Sequence, residues 1–110
     1  MKQGEIWYAD LNPSKGSEQA GLRPVVIASG NLLNQHLQIV IVVPLTTKIK
    51  KYKGNTILMP TASNGLQNES EMLVFHIRSV SKDRLVRKVG SIEAHQLDRS
   101  IKTLNDILKY

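Results

Sequence analysis

Two short stretches of this sequence hold most of the side chains that could do chemistry. The first is Lys15-Gly16-Ser17-Glu18-Gln19-Ala20-Gly21-Leu22-Arg23-Pro24. Its glycines bracket small and polar residues, so the backbone there can approach a ligand closely. Glu18 and Gln19 fall mid-loop, with little to pack against. Pro24 restricts Arg23 to an extended conformation. A guanidinium held at the head of a strand offers a planar fork of donors to an anion. The same arginine could equally pair with a surface carboxylate.

The second stretch is Val43-Pro44-Leu45-Thr46-Thr47-Lys48-Ile49-Lys50-Lys51-Tyr52-Lys53-Gly54. Two hydroxyls follow directly on an apolar strand, and hydroxyls at a strand end can donate to phosphate oxygens. Lys48, Lys50, Lys51 and Lys53 add attraction for a polyanion, and Tyr52 among them can stack on a base. A lysine-rich loop that guards a sheet edge from pairing would look the same. The three histidines are His36, His76 and His95, and none has a metal-ligand spacing. His76, beside Phe75, is a further candidate for contact with a base; a structural role is the alternative. The chain has neither a glycine-rich nucleotide loop nor a serine nucleophile elbow.

These residues must be positioned by strands. Glu5–Leu11 is rich in strand formers and stops at Asn12-Pro13. Arg23–Ser29 contains the apolar run Val25-Val26-Ile27, and Leu37–Leu45 is the most β-branched segment, which predicts a central strand. Asn31–Gln35 reads as a polar connection. Thr56–Met59 is a short strand, Ser63-Asn64-Gly65 a turn, and Met72–Val80 a further strand. Lys82-Asp83-Arg84 fits one helical turn and Val86–Ser91 a last strand. The period then changes. Ala94, Leu97, Ile101, Leu104 and Leu108 share one face of an amphipathic helix, with Ser91 as N-cap and the stripe packed on the core. Many short strands and one closing helix predict a mainly β fold, a small antiparallel barrel carrying a helix.

Composition sets the outer limits. The 110 residues fit one domain over 1–110, and 41% apolar residues exclude a disordered chain. With no cysteine, disulfide scaffolds, thiolate zinc sites and thiol catalysis are excluded. Met1-Lys2-Gln3-Gly4-Glu5 shows no signal peptide, and Ile39–Pro44 is too short to span a bilayer. The expectation is a cytoplasmic protein with no membrane contact. A net charge of +6 makes a nucleic acid a plausible partner.

Three blocks in order carry a resemblance: Gly4-Glu5-Ile6-Trp7-Tyr8-Ala9-Asp10-Leu11-Asn12-Pro13, then Gly16 to Gly21 with Arg23-Pro24-Val25-Val26, then Val43-Pro44-Leu45-Thr46-Thr47. Together they closely resemble the MazF/PemK family of toxins from bacterial type II toxin–antitoxin systems. The resemblance is strongest over residues 4–53 and extends in element order over nearly the whole chain. It implies an SH3-like β-barrel with appended helices, working as a homodimer. It also implies a sequence-specific endoribonuclease, an mRNA interferase that needs neither metal nor cofactor and cuts single-stranded RNA to arrest translation and growth. A cognate antitoxin would cover the basic groove with an acidic, partly disordered segment.

The resemblance carries catalytic roles to Arg23 and Thr46, and RNA contacts to Glu18 and Gln19. The residues themselves add Thr47, Lys48, Lys50, Tyr52 and His76 as RNA contacts. Attack of the 2′-OH on the adjacent phosphorus would give a 2′,3′-cyclic phosphate and a 5′-OH. A guanidinium stays protonated, which strains Arg23 as the general base; Glu18 or a water could take the proton instead. Where several family members carry an acidic residue followed by glutamine to read bases, this chain has Phe75-His76, which could instead stack on bases. Two other functions fit the same architecture: a non-catalytic toxin of DNA gyrase, and a module that binds RNA without cutting it.

Overall fold

The computed structural model describes residues 1–11 and 21–110; Glu18 and Gln19 lie outside the described residues. The described strands are β1 (Glu5–Asp10), β2 (Leu22–Ile27), β3 (Ile39–Thr46), β4 (Ile57–Leu58), β5 (Ser70–Met72), β6 (Arg78–Ser81) and β7 (Leu85–Ser91). Two helices, α1 (Asn31–His36) and α2 (Ala94–Lys109), complete the order, with single 3-10 turns at Val74–His76 and Lys82–Arg84. All pairings are antiparallel, in the order β4-β5-β3-β2-β1-β7, with β6 also on β3. The mainly β architecture and the closing helix agree with the sequence reading.

The sheet curls because β1 meets β7 with register shifts at Ile6/Trp7 and Tyr8/Ala9, and such irregularities bend and twist a strand pair. The curl brings the turn after β4 against β7, where Ser91 N–H donates to the Ser63 carbonyl at 3.0 Å. Two glycines permit this approach. A Cβ on Gly90 would lie 2.5 Å from the Asn64 carbonyl, and one on Gly65, at φ +68°, would lie 2.3 Å from the Val89 carbonyl oxygen.

Both faces of β2 and β3 are covered, which is why these strands read as continuous apolar runs. Val26, Val43 and Leu45 join Ile6, Leu58, Met72 and Val74 in one core layer. Val25, Ile27, Val40 and Val42 face the other way, with Ala9, Val80 and Leu85.

Four expectations change in detail. Asn31–His36 is a short helix, not a connection. Its polar Asn34 is buried and satisfied by tertiary contacts: its side-chain amide donates to the Ser29 carbonyl at 2.8 Å. The Thr56–Met59 strand pairs over only Ile57–Leu58, because Pro60 follows at once. Met72–Val80 is not one strand. Between the pairs Leu45↔Met72 and Val42↔Arg78, two residues of β3 face five of the opposing chain. The excess forms the 3-10 turn Val74–His76, opposite Pro44, which has no N–H to give a ladder. Lastly, α2 is capped by Glu93, not by Ser91. Glu93 and Gln96 form a capping box in which the Glu93 N–H donates to the Gln96 side chain at 2.9 Å. Ser91 instead belongs to β7. The helix packs through Leu97, Ser100 and Leu104, whereas Ile101 and Leu108 of the expected stripe are exposed.

Candidate nucleic-acid interface and active site

The ends of the central strands open into a cavity of about 710 Å³. Arg23 and Pro24 of β2, Pro44 to Thr46 of β3, and Thr47 and Lys48 beyond it form one wall. Tyr8 and Leu11 line it from β1 and its end, and Leu73, His76 and Arg78 from the far side of β3. Antiparallel pairing explains the assembly. Tyr8 stands opposite Pro24, Arg23 opposite Ala9 and Leu22 opposite Asp10, so the start of β2 meets the end of β1. The register excess at Val74–His76 then pushes His76 out beside Thr46 rather than leaving it in a ladder.

Within the cavity the Thr46 hydroxyl oxygen accepts the Lys48 backbone N–H at 3.1 Å. One oxygen lone pair is thereby engaged, and the hydroxyl proton remains to be donated. Among the described residues, every charged side chain that lines the cavity is cationic: Arg23, Lys48 and Arg78. A low-dielectric wall of Pro44, Leu45 and Leu73 beside three cations focuses a positive potential on any anion held there. A second cavity of about 450 Å³ shares Leu11 and Arg78 and continues past Ser79 and Ser81 to Asp10 and Arg84.

Arg23, Thr46, Thr47, Lys48 and His76 thus come together as the sequence suggested. Lys50 and Tyr52 do not line the cavity. They occupy the loop behind Lys48, and that loop is organised by Glu71, which the sequence reading passed over. Glu71 is fully buried on β5. Its Oε1 accepts the backbone N–H groups of Lys50 (2.8 Å) and Lys51 (2.9 Å), and its Oε2 accepts that of Tyr52 (2.9 Å) and the Asn55 side-chain amide (3.0 Å). The three successive N–H groups converge because Lys51 is in the left-handed region, at φ 56°. Burial alone would raise the Glu71 pKa; the hydrogen bonds from Asn55 and the three backbone groups outweigh it and hold the carboxyl below its ordinary range. The sequence carries little signal for this role, since Glu71 closes the polar run Gln67-Asn68-Glu69-Ser70 and only then do Met72-Leu73-Val74 follow.

Tyr8 and Arg78 were also missed. The Arg87 guanidinium lies 4.8 Å from the centre of the Tyr8 ring, which places a further cation at the cavity's β1 side. Of the remaining histidines, His36 is exposed at the end of α1, and His95 on α2 lies 3.2 Å from the Glu93 carboxylate. Among the described residues no three His, Cys, Asp or Glu side chains come together as metal ligands.

This geometry can be set beside known proteins. Residues 2–108 match the family described as PemK-like, MazF-like toxin of type II toxin-antitoxin system. The chain belongs to the PemK/MazF toxin family. Endoribonuclease MazF9 of Mycobacterium tuberculosis is 34% identical over 115 residues, covering 97% of this chain and 98% of the relative. Endoribonuclease EndoA of Bacillus subtilis is 33% identical over 100 residues, covering 90% of this chain and 86% of the relative. The fold agrees as well. MazF from Deinococcus radiodurans superposes with a TM-score of 0.80 at 23% identity, over 100% of this chain and 97% of that one. A mycobacterial endoribonuclease solved in complex with its cognate antitoxin gives a TM-score of 0.78 at 21% identity, over 98% of this chain and 94% of that one. As a PemK/MazF toxin, the chain carries its three resemblance blocks on β1, on β2 with the segment before it, and on β3, the strands whose ends frame the cavity. Among the described residues no helix is long and apolar enough to cross a membrane.

Proposed function

We propose that this toxin is a metal-independent endoribonuclease of single-stranded RNA, with Arg23 and Thr46 at the reacting phosphate. The observation that carries the reading is the convergence of Arg23 and Thr46, from two different strands, on one cavity whose charged lining, among the described residues, is cationic. RNA supplies its own nucleophile. The 2′-oxygen forms a bond to phosphorus, the bond from phosphorus to the 5′-oxygen breaks, and the 2′-proton leaves to a base while the 5′-oxygen gains one. The Arg23 guanidinium stabilises the charge that grows on the non-bridging oxygens. The Thr46 hydroxyl donates to one of them, since its oxygen is already engaged by Lys48 N–H. Thr47, Lys48 and Arg78 hold the phosphates on either side, and His76 meets a base at the far wall.

Glu18 and Gln19 complete the RNA site in this reading, with Glu18 or a water taking the 2′-proton. The names of the two curated relatives support cleavage over gyrase poisoning. The protein acts as a homodimer in the cytoplasm. Exposure of Ile101, Ile107 and Leu108 on α2 supports an apolar contact between copies. The basic cavity suits an acidic antitoxin segment. Single-turnover cleavage of a long single-stranded RNA by the wild-type protein and by Arg23→Ala tests the site. Loss of cleavage in a variant that melts like the wild type is expected. Retained cleavage removes Arg23 from the mechanism.

A further inference from the structure

Glu71 is a fully buried charge that the proposed chemistry does not use. It stands directly opposite Thr46 on the last rung between β3 and β5. Opposed residues of an antiparallel pair project to the same face, with Cβ atoms about 5 Å apart. β3 ends at Thr46, and the chain beyond it returns to Glu71. The carboxylate receives it through the backbone N–H groups of Lys50, Lys51 and Tyr52, and through the Asn55 side-chain amide. The segment from Thr46 to Lys50 thus departs from one residue's ladder position and comes back to the same residue's side chain. Lys48 lies inside that span, and its N–H engages the Thr46 hydroxyl. The far end of the loop is held from α2, where the Thr103 hydroxyl donates to the Gly54 carbonyl.

We propose that Glu71 is a positioning residue for RNA cleavage: by clamping Lys50 to Tyr52 it holds the Lys48 N–H on Thr46 and so aims the Thr46 hydroxyl at the reacting phosphate. This rests on the ribonuclease reading and adds a group that sets the rate of its chemical step. A threonine hydroxyl turns about its C–O bond to suit its partners. Once the Lys48 N–H occupies one lone pair, the proton is excluded from that direction and is kept for an oxygen held in the cavity. Glu71 itself reaches no RNA, because its four hydrogen bonds all go to the loop. Burying a carboxylate carries a desolvation cost that an apolar residue in its place would avoid. What the apolar residue would lack is the hold on the loop beside Thr46. Misplacing a catalytic group by about 1 Å can slow a reaction about 10²-fold, so loosening this span reaches the chemistry without any contact to substrate.

The test is a double-mutant cycle on the cleavage step. Wild type, Glu71→Gln, Thr46→Val and the double variant are compared at a temperature where circular dichroism shows each one folded. Two quantities are measured: the single-turnover rate at saturating protein, and the affinity for the same RNA with 2′-deoxyribose at the mapped cleavage position. Glu71→Gln should slow cleavage about ten-fold or more and leave the affinity nearly unchanged. In the Thr46→Val background the same substitution should change the rate less than about two-fold, because the group it positions is gone. A general structural fault would instead multiply the two losses. Asn55→Ala removes one of the four bonds and leaves the three from the backbone. It should give a smaller slowing with the same dependence on Thr46, and it decides the question where Glu71→Gln does not fold. Wild-type rates in both Glu71→Gln and Asn55→Ala, losses confined to affinity, or losses that multiply with that of Thr46→Val overturn the positioning role and leave the ribonuclease reading standing. A folded wild type that binds RNA and never cuts it overturns that reading, and the positioning role with it.

Discussion

Replacing Glu71 by glutamine isolates the charge and acceptor capacity of one buried group, because the two side chains have nearly the same shape. The carboxylate accepts four hydrogen bonds, two at each oxygen. An amide keeps one acceptor oxygen and turns the other position into a donor. Whichever way it is turned, two N–H groups lose their acceptor and face another donor. Each such loss costs about 1–3 kcal/mol, and the two surviving bonds lose their charge assistance. Relief of the carboxylate's own desolvation offsets part of this. The net expectation is about 2–4 kcal/mol of lost stability. With an unfolding entropy of about 2 cal/mol/K per residue, that lowers the melting temperature by about 9–17 °C. Thermal unfolding at pH 7 followed by circular dichroism reads this directly. The folded-state pKa of Glu71 is depressed, so its contribution is complete above the ordinary carboxylate range and disappears as pH falls through the lowered value. The wild-type and Glu71→Gln melting temperatures should therefore converge in acid. A variant melting within about 2 °C of the wild type at pH 7 would refute the view that these four bonds hold the lysine loop.

Glu5 supplies a second acid-sensitive element. Burial raises its pKa, but hydrogen bonds from the Lys2 backbone, the Trp7 indole and Lys88 lower it to about 2. Its stabilising effect is present above the unfolded carboxylate range near pH 4.5 and is lost as pH falls toward 2; Glu5→Gln should flatten that part of a stability–pH curve, and an unchanged curve would exclude Glu5 as the cause. Gly90→Ala sets a methyl 2.5 Å from the Asn64 and Ser63 carbonyls, and urea unfolding should report at least about 1–3 kcal/mol of destabilisation; a neutral variant would mean the closing turn yields easily. Thr46→Val removes the hydroxyl at similar volume, and the cleavage step in single-turnover assays should slow about 10²-fold or more with little change in melting temperature; an unchanged rate would take the hydroxyl away from the phosphate.

Most of the architecture was legible because β2 and β3 are buried on both faces and α2 changes the hydrophobic period from strand to helix. What escaped the sequence depends on three-dimensional partners. Asn31–His36 looks like loop because its helix is stabilised by Asn34 bonding to Ser29, a contact no local pattern announces. Met72–Val80 looks like one strand because its apolar character is continuous, while the interruption is imposed by the register of β3 against two different partners. The same blindness hid part of the site. Arg23, Thr46 and Lys48 stand out by type and spacing. Tyr8 and Arg78 reach the cavity only through cross-strand pairing. Glu71 never touches the cavity, and its importance lies in the loop it ties down. The amphipathic stripe of α2 reads as wholly core, yet Ala94, Ile101 and Leu108 are exposed, and only Leu97 and Leu104 of the stripe meet the curled sheet.

The most direct test of the central claim is the chemistry of the ends. Purified toxin is incubated with a long single-stranded RNA in excess EDTA, and the termini of the fragments are analysed. Discrete fragments bearing 2′,3′-cyclic phosphate and 5′-OH ends, absent with Arg23→Ala, are predicted from attack by the RNA's own 2′-OH at a site of Arg23 and Thr46. Intact RNA in the presence of folded, antitoxin-free protein, or fragments bearing 5′-phosphate ends, would contradict it.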